Sequence, residues 1–61
     1  MDRFEIRFKY ENNFKIIFAD TEESAERMYQ KIIHFATHHY KPISGQIALW
    51  DGKWLVKSDH F

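Results

Sequence analysis

The sequence predicts an α+β domain in which two β-hairpins flank a single helix, in the order strand–strand–helix–strand–strand. Two runs with strand patterns lie before residue 20, two more lie after residue 45, and an amphipathic segment separates them. Asp51-Gly52 stands between the last two apolar runs, and Asp-Gly is the strongest short-range hairpin signal. The chain has 61 residues, so residues 1–61 are expected to form one domain.

The first hairpin is predicted from strict alternation of charged and apolar residues over 3–10, followed by an apolar run over 14–19. Two registers can join these strands, and a shift of one residue exchanges their faces. A three-residue loop with a left-handed Asn13 would turn inward Phe14, Ile16 and Phe18. A two-residue loop over Asn12-Asn13 would turn inward Lys15, Ile17 and Ala19. We favour the first register because it buries two Phe residues and leaves Lys15 in water.

The helix is predicted at about residues 22–39. Asp20 can cap it as part of a capping box with Glu23, and Thr21 is the other candidate cap. Pro42 ends any continuation, because the residue before proline avoids the α region. Residues at helical spacing define the inward stripe: Ala25, Met28, Tyr29, Ile32, Ala36 and His39.

The second hairpin is predicted from the runs 46–50 and 53–57. A two-residue loop at Asp51-Gly52 would pair Leu49 with Trp54 and Ile47 with Val56, and these four residues would form the core face. Residues 58–60 are then expected to be an exposed tail.

The simplest assembly is a four-stranded mixed sheet with the helix packed on one face. With strands two and three outermost, strands one and four form a parallel central pair and the order is 2-1-4-3; another order of the same elements stays open. This arrangement resembles the β-grasp arrangement of the small immunoglobulin-binding domain of protein G. The resemblance covers element order and length and includes no residue motif, so it implies no function and no binding residue.

Composition excludes several classes of protein. Nine basic and nine acidic side chains give a net charge of zero, so no overall charge steers the chain to nucleic acid or to a membrane. The absence of cysteine excludes disulfides and Cys-based zinc sites. No apolar run approaches the roughly 20 residues of a membrane span, and the charged first residues do not form a signal peptide. We therefore expect a cytoplasmic protein with no membrane partner.

No catalytic motif is present, so the protein is not expected to be an enzyme. Ser58, Asp59 and His60 are adjacent in sequence and cannot converge as a catalytic triad. His34 and His38 have a spacing that can hold a metal, but no carboxylate is in register, and His near a helix C-terminus is favoured by the helix dipole. A single sheet with one helix also leaves little room for a deep pocket. The sequence therefore predicts no catalytic, cofactor or metal site.

The sheet face opposite the helix is the predicted binding surface. In the favoured register this face is basic, and it carries Trp50 and Leu55 where water would be expected; Trp is enriched at interface hot spots. Trp50 would be the anchor, and the basic residues would set orientation and association rate. The predicted partner-binding residues are Trp50, Leu55, Arg7, Lys53, Lys57, Lys9 and Ile17.

These features predict a small binding module or inhibitor that docks on a protein partner, of the kind that phages and other mobile genetic elements encode. One alternative is a single-stranded nucleic-acid-binding domain that uses the same face. Another is a structural protein that self-associates through this face or an edge strand, so the chain would be a monomer or a weak homodimer. The exposed helix face is a further candidate surface, with Arg27, Lys31, His34 and His38.

Overall fold

A computed structural model describes residues 3–38 and 44–61 as one four-stranded sheet with a helix on one face. The elements are β1 (Phe4–Tyr10), β2 (Asn13–Ala19), α1 (Glu22–Thr37), β3 (Gly45–Asp51) and β4 (Trp54–His60). The predicted α+β class and the element order are confirmed. Within the described residues, no helix has the length and apolar character that a membrane crossing requires.

The strand order is β2-β1-β3-β4, and every neighbouring pair is antiparallel. The predicted order 2-1-4-3, the mixed sheet and the parallel pair of strands one and four are therefore wrong, and the resemblance to the β-grasp arrangement is not confirmed. In the observed order, the connection from β2 through α1 to β3 crosses one strand and spans about 10 Å. In the predicted order, it would cross two strands and span about 14 Å. Short connections are the rule in compact domains, so the crossover length favours the observed order.

The first hairpin has a two-residue turn at Glu11-Asn12, because Tyr10 pairs with Asn13. Glu11 takes the left-handed conformation with φ 52°, a role that the favoured register assigned to Asn13. That register is wrong, and the residues that face the helix are Lys15, Ile17 and Ala19. Ala19 and Ile17 of β2 pack beneath α1, and Phe14, Ile16 and Phe18 lie on the other side of the sheet.

Thr21 caps the helix, and its Oγ1 accepts a hydrogen bond of 3.1 Å from the backbone N–H of Ser24. Of the two candidate caps, Thr21 therefore fills the position and Asp20 does not. The helix ends at Thr37, and the next residue, His38, donates its backbone N–H to the carbonyl of His34 at 2.9 Å. The end is two residues earlier than predicted, and His39 lies outside the described residues.

The core lies between α1 and strands β1, β2 and β3. Its buried members are Phe4, Ile6, Ala19, Ala25, Tyr29, Ile47 and Leu49. Burial of each large apolar side chain contributes about 1.5–3 kcal/mol. The inward stripe of the helix is confirmed for Ala25, Tyr29 and Ala36, which are buried, and for Met28 and Ile32, which pack against the core.

A β-bulge changes the pairing of the second hairpin. Asp51 pairs with Trp54 and Trp50 with Leu55, but Leu49 pairs with Lys57, so Val56 is the extra residue of β4. Ile47 and Leu49 are buried as predicted, whereas Trp54 is 79% exposed and Val56 is 46% exposed. The predicted core positions of Trp54 and Val56 are therefore wrong.

The bulge turns two polar residues of β4 toward the helix. Lys57 Nζ lies 2.6 Å from Glu26 Oε2 and 4.6 Å from the centre of the Tyr29 ring. Tyr29 donates its hydroxyl to Asp59 Oδ2 at 2.7 Å. Burial, together with this hydrogen bond, raises the pKa of Tyr29 well above its ordinary value. Residues 58–60 thus belong to β4, and Asp59 helps to hold that strand to the helix. These three residues are exposed as predicted, but the prediction that they form a tail is wrong.

Candidate functional site

The sheet surface opposite α1, called the open face from here on, consists of three rows of side chains that cross the four strands in the order β2, β1, β3, β4. The first row is Phe18, Glu5, Trp50 and Leu55. The second row is Ile16, Arg7, Ala48 and Ser58. The third row is Phe14, Lys9, Gln46 and His60. The cross-strand register therefore fixes which side chains are neighbours on this face.

Strand β2 contributes a continuous apolar strip at the edge of the open face, called the edge strip from here on. Phe14 is 60% exposed, Ile16 42% and Phe18 55%. Sequence reasoning missed the edge strip, because the favoured register placed these residues in the core. The signal that could have identified it is the preference of hairpins for two-residue turns, which makes the Glu11-Asn12 turn competitive with a longer loop.

The middle of the open face is less basic than predicted. Arg7 Nη2 donates to Glu5 Oε2 at 2.6 Å, so these two charges neutralise each other. The Arg7 guanidinium also lies 4.8 Å from the centre of the Trp50 ring, a cation–π geometry that holds both side chains in place. Lys9 is exposed, and it has no ion-pair partner within residues 3–38 and 44–61.

The structure brings together only some of the predicted binding residues. Four of them share the open face: Trp50, Leu55, Arg7 and Lys9. Ile17 is on the helix side and packs against the core, because the turn at Glu11-Asn12 sets the opposite register. Lys57 is also on the helix side, because of the bulge at Val56. Lys53 lies in the turn of the second hairpin, at the margin of the face. The placement of Ile17 and Lys57 on the open face was therefore wrong.

Known proteins provide no guide to the role of this face. Comparisons of the chain with protein-family models, curated proteins and solved structures found no significant match. The function must therefore be inferred from the exposed side chains and their arrangement.

Two histidines at the end of α1 form a stacked pair. The ring centres of His34 and His38 are 4.1 Å apart, and His38 Nδ1 lies 3.0 Å from the carbonyl oxygen of His34. One nitrogen of His38 is thus directed at the backbone. Within the described part of the chain, no three or more metal-ligating side chains cluster together. The expectation that this pair holds no metal stays a prediction.

A recess of about 640 Å³ lies beneath the second half of α1. Its mainly apolar lining includes Phe8, Tyr10, Met28, Ile32, Ala36 and Phe61. The volume falls in the range of small-molecule sites, roughly 300–1,000 Å³, but the recess is open to solvent, so the expectation of little room for a deep pocket stays a prediction. Residues 39–43 follow the helix at this end and lie outside the described residues, and the recess is therefore assigned no ligand.

Proposed function

We propose that the protein is a non-enzymatic binding module that binds the surface of another protein molecule through the open face. The observation that carries the proposal is the edge strip, whose large apolar side chains are exposed on the side of the sheet that the helix does not cover. Catalytic inactivity and a cytoplasmic location remain predictions from the sequence.

The apolar content of this face supports the proposal. Scattered apolar residues are normal on a protein surface, but contiguous patches mark interaction sites. The edge strip is contiguous along β2 from Phe14 to Phe18, and Trp50 with Leu55 adds a second apolar area across the sheet. A partner surface that covers both areas would remove large rings from water, which is where interface energy concentrates.

The charged residues between the two apolar areas support a protein partner with a matching charge pattern. Every second residue of β1 on the open face is charged, namely Glu5, Arg7 and Lys9, so this strand presents both signs of charge there. Trp50 is held by the Arg7 guanidinium, which limits the side-chain entropy lost when a partner binds. Lys53, at the margin, would contribute to association rate more than to affinity.

The proposal is tested by photo-cross-linking in cells of the native host. Phe14 is replaced by benzoylphenylalanine, and the matched control carries the same residue at Trp54, an exposed aromatic position beside Asp51 and outside the open face. We expect adducts from position 14 and none from position 54. A second change, Trp50→Ala, should reduce the yield at position 14, because truncation of a Trp that is an interface hot spot costs about 2 kcal/mol of binding, or roughly 30-fold. A folded variant that gives no adduct at position 14 would contradict the proposal.

Single-stranded nucleic acid is the second candidate, and one observation favours it. Three aromatic rings share the open face, at Phe14, Phe18 and Trp50, and aromatic platforms of this kind stack bases. Lys9 is the only cation on β1 without an acidic partner among the described residues, which is little charge for phosphate binding. Amide NMR titration with short DNA and RNA strands decides between the two: shifts at the open face that weaken with salt would favour nucleic acid.

A further inference from the structure

The charges of β1 are arranged symmetrically about Arg7. Glu5 lies two residues before it and Lys9 two residues after it, all three on the open face. Consider a second copy whose open face meets this one across a two-fold axis. The axis lies between the two sheets, parallel to them and perpendicular to the strands, and it passes over Arg7. Each Glu5 would then lie opposite the other copy's Lys9. Both Glu5 and Lys9 are available for such an ion pair. Arg7 uses only Oε2 of Glu5, and Lys9 has no ion-pair partner among the described residues.

The edge strip obeys the same symmetry. Ile16 is the cross-strand neighbour of Arg7, so the same axis passes over it. Phe18 and Phe14 lie two residues on either side, and the rotation would place each Phe18 against the other copy's Phe14. Contacts in which residue i meets residue j and j meets i define an isologous two-fold interface.

We infer that the open face binds a second copy of this chain, as a face-to-face dimer with its two-fold axis over Arg7 and Ile16. The inference rests on the proposed function and names the partner. Two twisted sheets pack face to face with their strands about 30° apart, and this geometry is compatible with the axis described.

Arg7 does not oppose this arrangement, although the axis brings two copies of it near each other. Each Arg7 is neutralised by the Glu5 of its own chain, and its guanidinium leans over Trp50, in the direction of the first row. The two-fold rotation makes the two guanidinium groups point in opposite directions along the strands. They therefore diverge from the axis, where Ile16 and Ala48 provide apolar contact.

The area of the face predicts a weak dimer. Four strands at about 4.8 Å spacing and seven residues at about 3.3 Å give a face of roughly 440 Å², or roughly 900 Å² for both copies. Specific interfaces begin near 1,200 Å² of total buried surface, with weak and transient ones below that. Dimer formation should therefore depend on concentration, with a monomer of 7.5 kDa in dilute solution.

The experiment is sedimentation equilibrium of the full chain up to about 1 mM, where even a weak dimer is populated. Lys9→Glu and Glu5→Lys each replace two attractive pairs per dimer by two repulsive ones, so each variant alone should dimerise roughly tenfold more weakly than the wild type. An equimolar mixture of the two variants restores opposite charges at every pair. We expect mixed dimers that are tighter than the dimer of either variant alone but weaker than the wild type, because Glu5→Lys also removes the ion-pair partner of one Arg7.

Two matched controls separate this pairing from general charge effects. Glu22→Lys and Lys31→Glu make the same charge changes on the exposed side of α1, and they should leave dimerisation unchanged, alone or mixed. Ile16→Lys places two like charges at the axis and should give a monomer, whereas Trp54→Lys should not. Circular dichroism checks that each variant is folded.

The outcomes separate the inference from the proposed function. A wild-type dimer whose charge variants recover on mixing supports the inference. A dimer with no recovery overturns the alignment, and a wild type that stays monomeric overturns the dimer. If the wild type stays monomeric, cross-linked adducts at Phe14 that are heavier than two copies would still support the proposed function, with a different protein as the partner. No adduct of any mass would overturn both.

Discussion

Tyr29→Phe tests how β4 is held to the helix, because this change removes one hydroxyl from the core. That hydroxyl donates to Asp59 Oδ2 at 2.7 Å, whereas its other near neighbour, the carbonyl of Ile47, is 3.5 Å away and adds little. A hydrogen bond to a charged group contributes about 1.5–3 kcal/mol. Asp59 is exposed and regains water when the bond is lost, so we expect the lower end, about 1.5 kcal/mol.

The pH dependence of this loss follows from the raised pKa of Tyr29. Burial and the hydrogen bond to Asp59 raise the pKa in the folded state, while the unfolded chain keeps the ordinary value of about 10. The folded state therefore retains its proton to higher pH. The stabilisation is complete below about pH 10 and is lost at about 1.4 kcal/mol per unit as the pH rises above that value. At about pH 11 the wild type should have lost about 1.4 kcal/mol that Tyr29→Phe does not lose.

The assay is urea denaturation followed by far-UV circular dichroism, at about pH 8 and about pH 11. The difference between wild type and Tyr29→Phe should fall from about 1.5 kcal/mol to near zero over this interval. Tyr10→Phe is the matched control: Tyr10 is half-buried and stacks on Phe8, and its hydroxyl makes no hydrogen bond within the described residues. A difference that is the same at both pH values would refute the reasoning, as would an equal loss in the Tyr10 control.

Two further predictions concern the turn of the first hairpin and the two glycines, and they use the same denaturation assay. Glu11→Asn should stabilise the domain by about 0.5 kcal/mol, because Asn tolerates the left-handed backbone at φ 52°, and Asn13→Thr should be neutral or slightly stabilising in a strand. A loss of about 1 kcal/mol at Asn13→Thr would instead indicate the three-residue loop. Gly45→Ala should cost about 2–3 kcal/mol, since a Cβ there would collide with the carbonyl oxygen of Lys9. Gly52→Ala meets open space and should cost only about 1 kcal/mol for its φ of 60°, so equal losses at the two glycines would contradict the steric argument.

The candidate site was only partly predictable, and the residues show why. Trp50 and Leu55 share the open face as predicted. Their direct pairing was not predicted, because the turn lies at Gly52-Lys53 and not at Asp51-Gly52. The edge strip could not be predicted in the same way. Apolar residues occupy both faces of β2 around Ile16 and Ile17, so no alternation there selects a register.

The sequence by itself determined the features that depend on local pattern. Alternation over residues 3–10 identifies β1 and its buried Phe4 and Ile6, and helical spacing identifies α1 and its buried Tyr29. These signals are reliable because one face of each element is polar and the other apolar, so only one orientation buries the apolar face.

Only the tertiary structure decided the strand order, the register of β2 and the bulge at Val56. Each depends on how elements distant in the sequence fit together: the length of the crossover, the packing of Ile17 and Ala19 beneath the helix, and the pairing of β4 side chains with polar groups on that helix. The run Trp54-Leu55-Val56 is apolar throughout and can place either side inward, so its local pattern carries no information about the choice. Polar contacts across the core made that choice, because a buried hydroxyl or a half-buried ammonium is stable only with a partner.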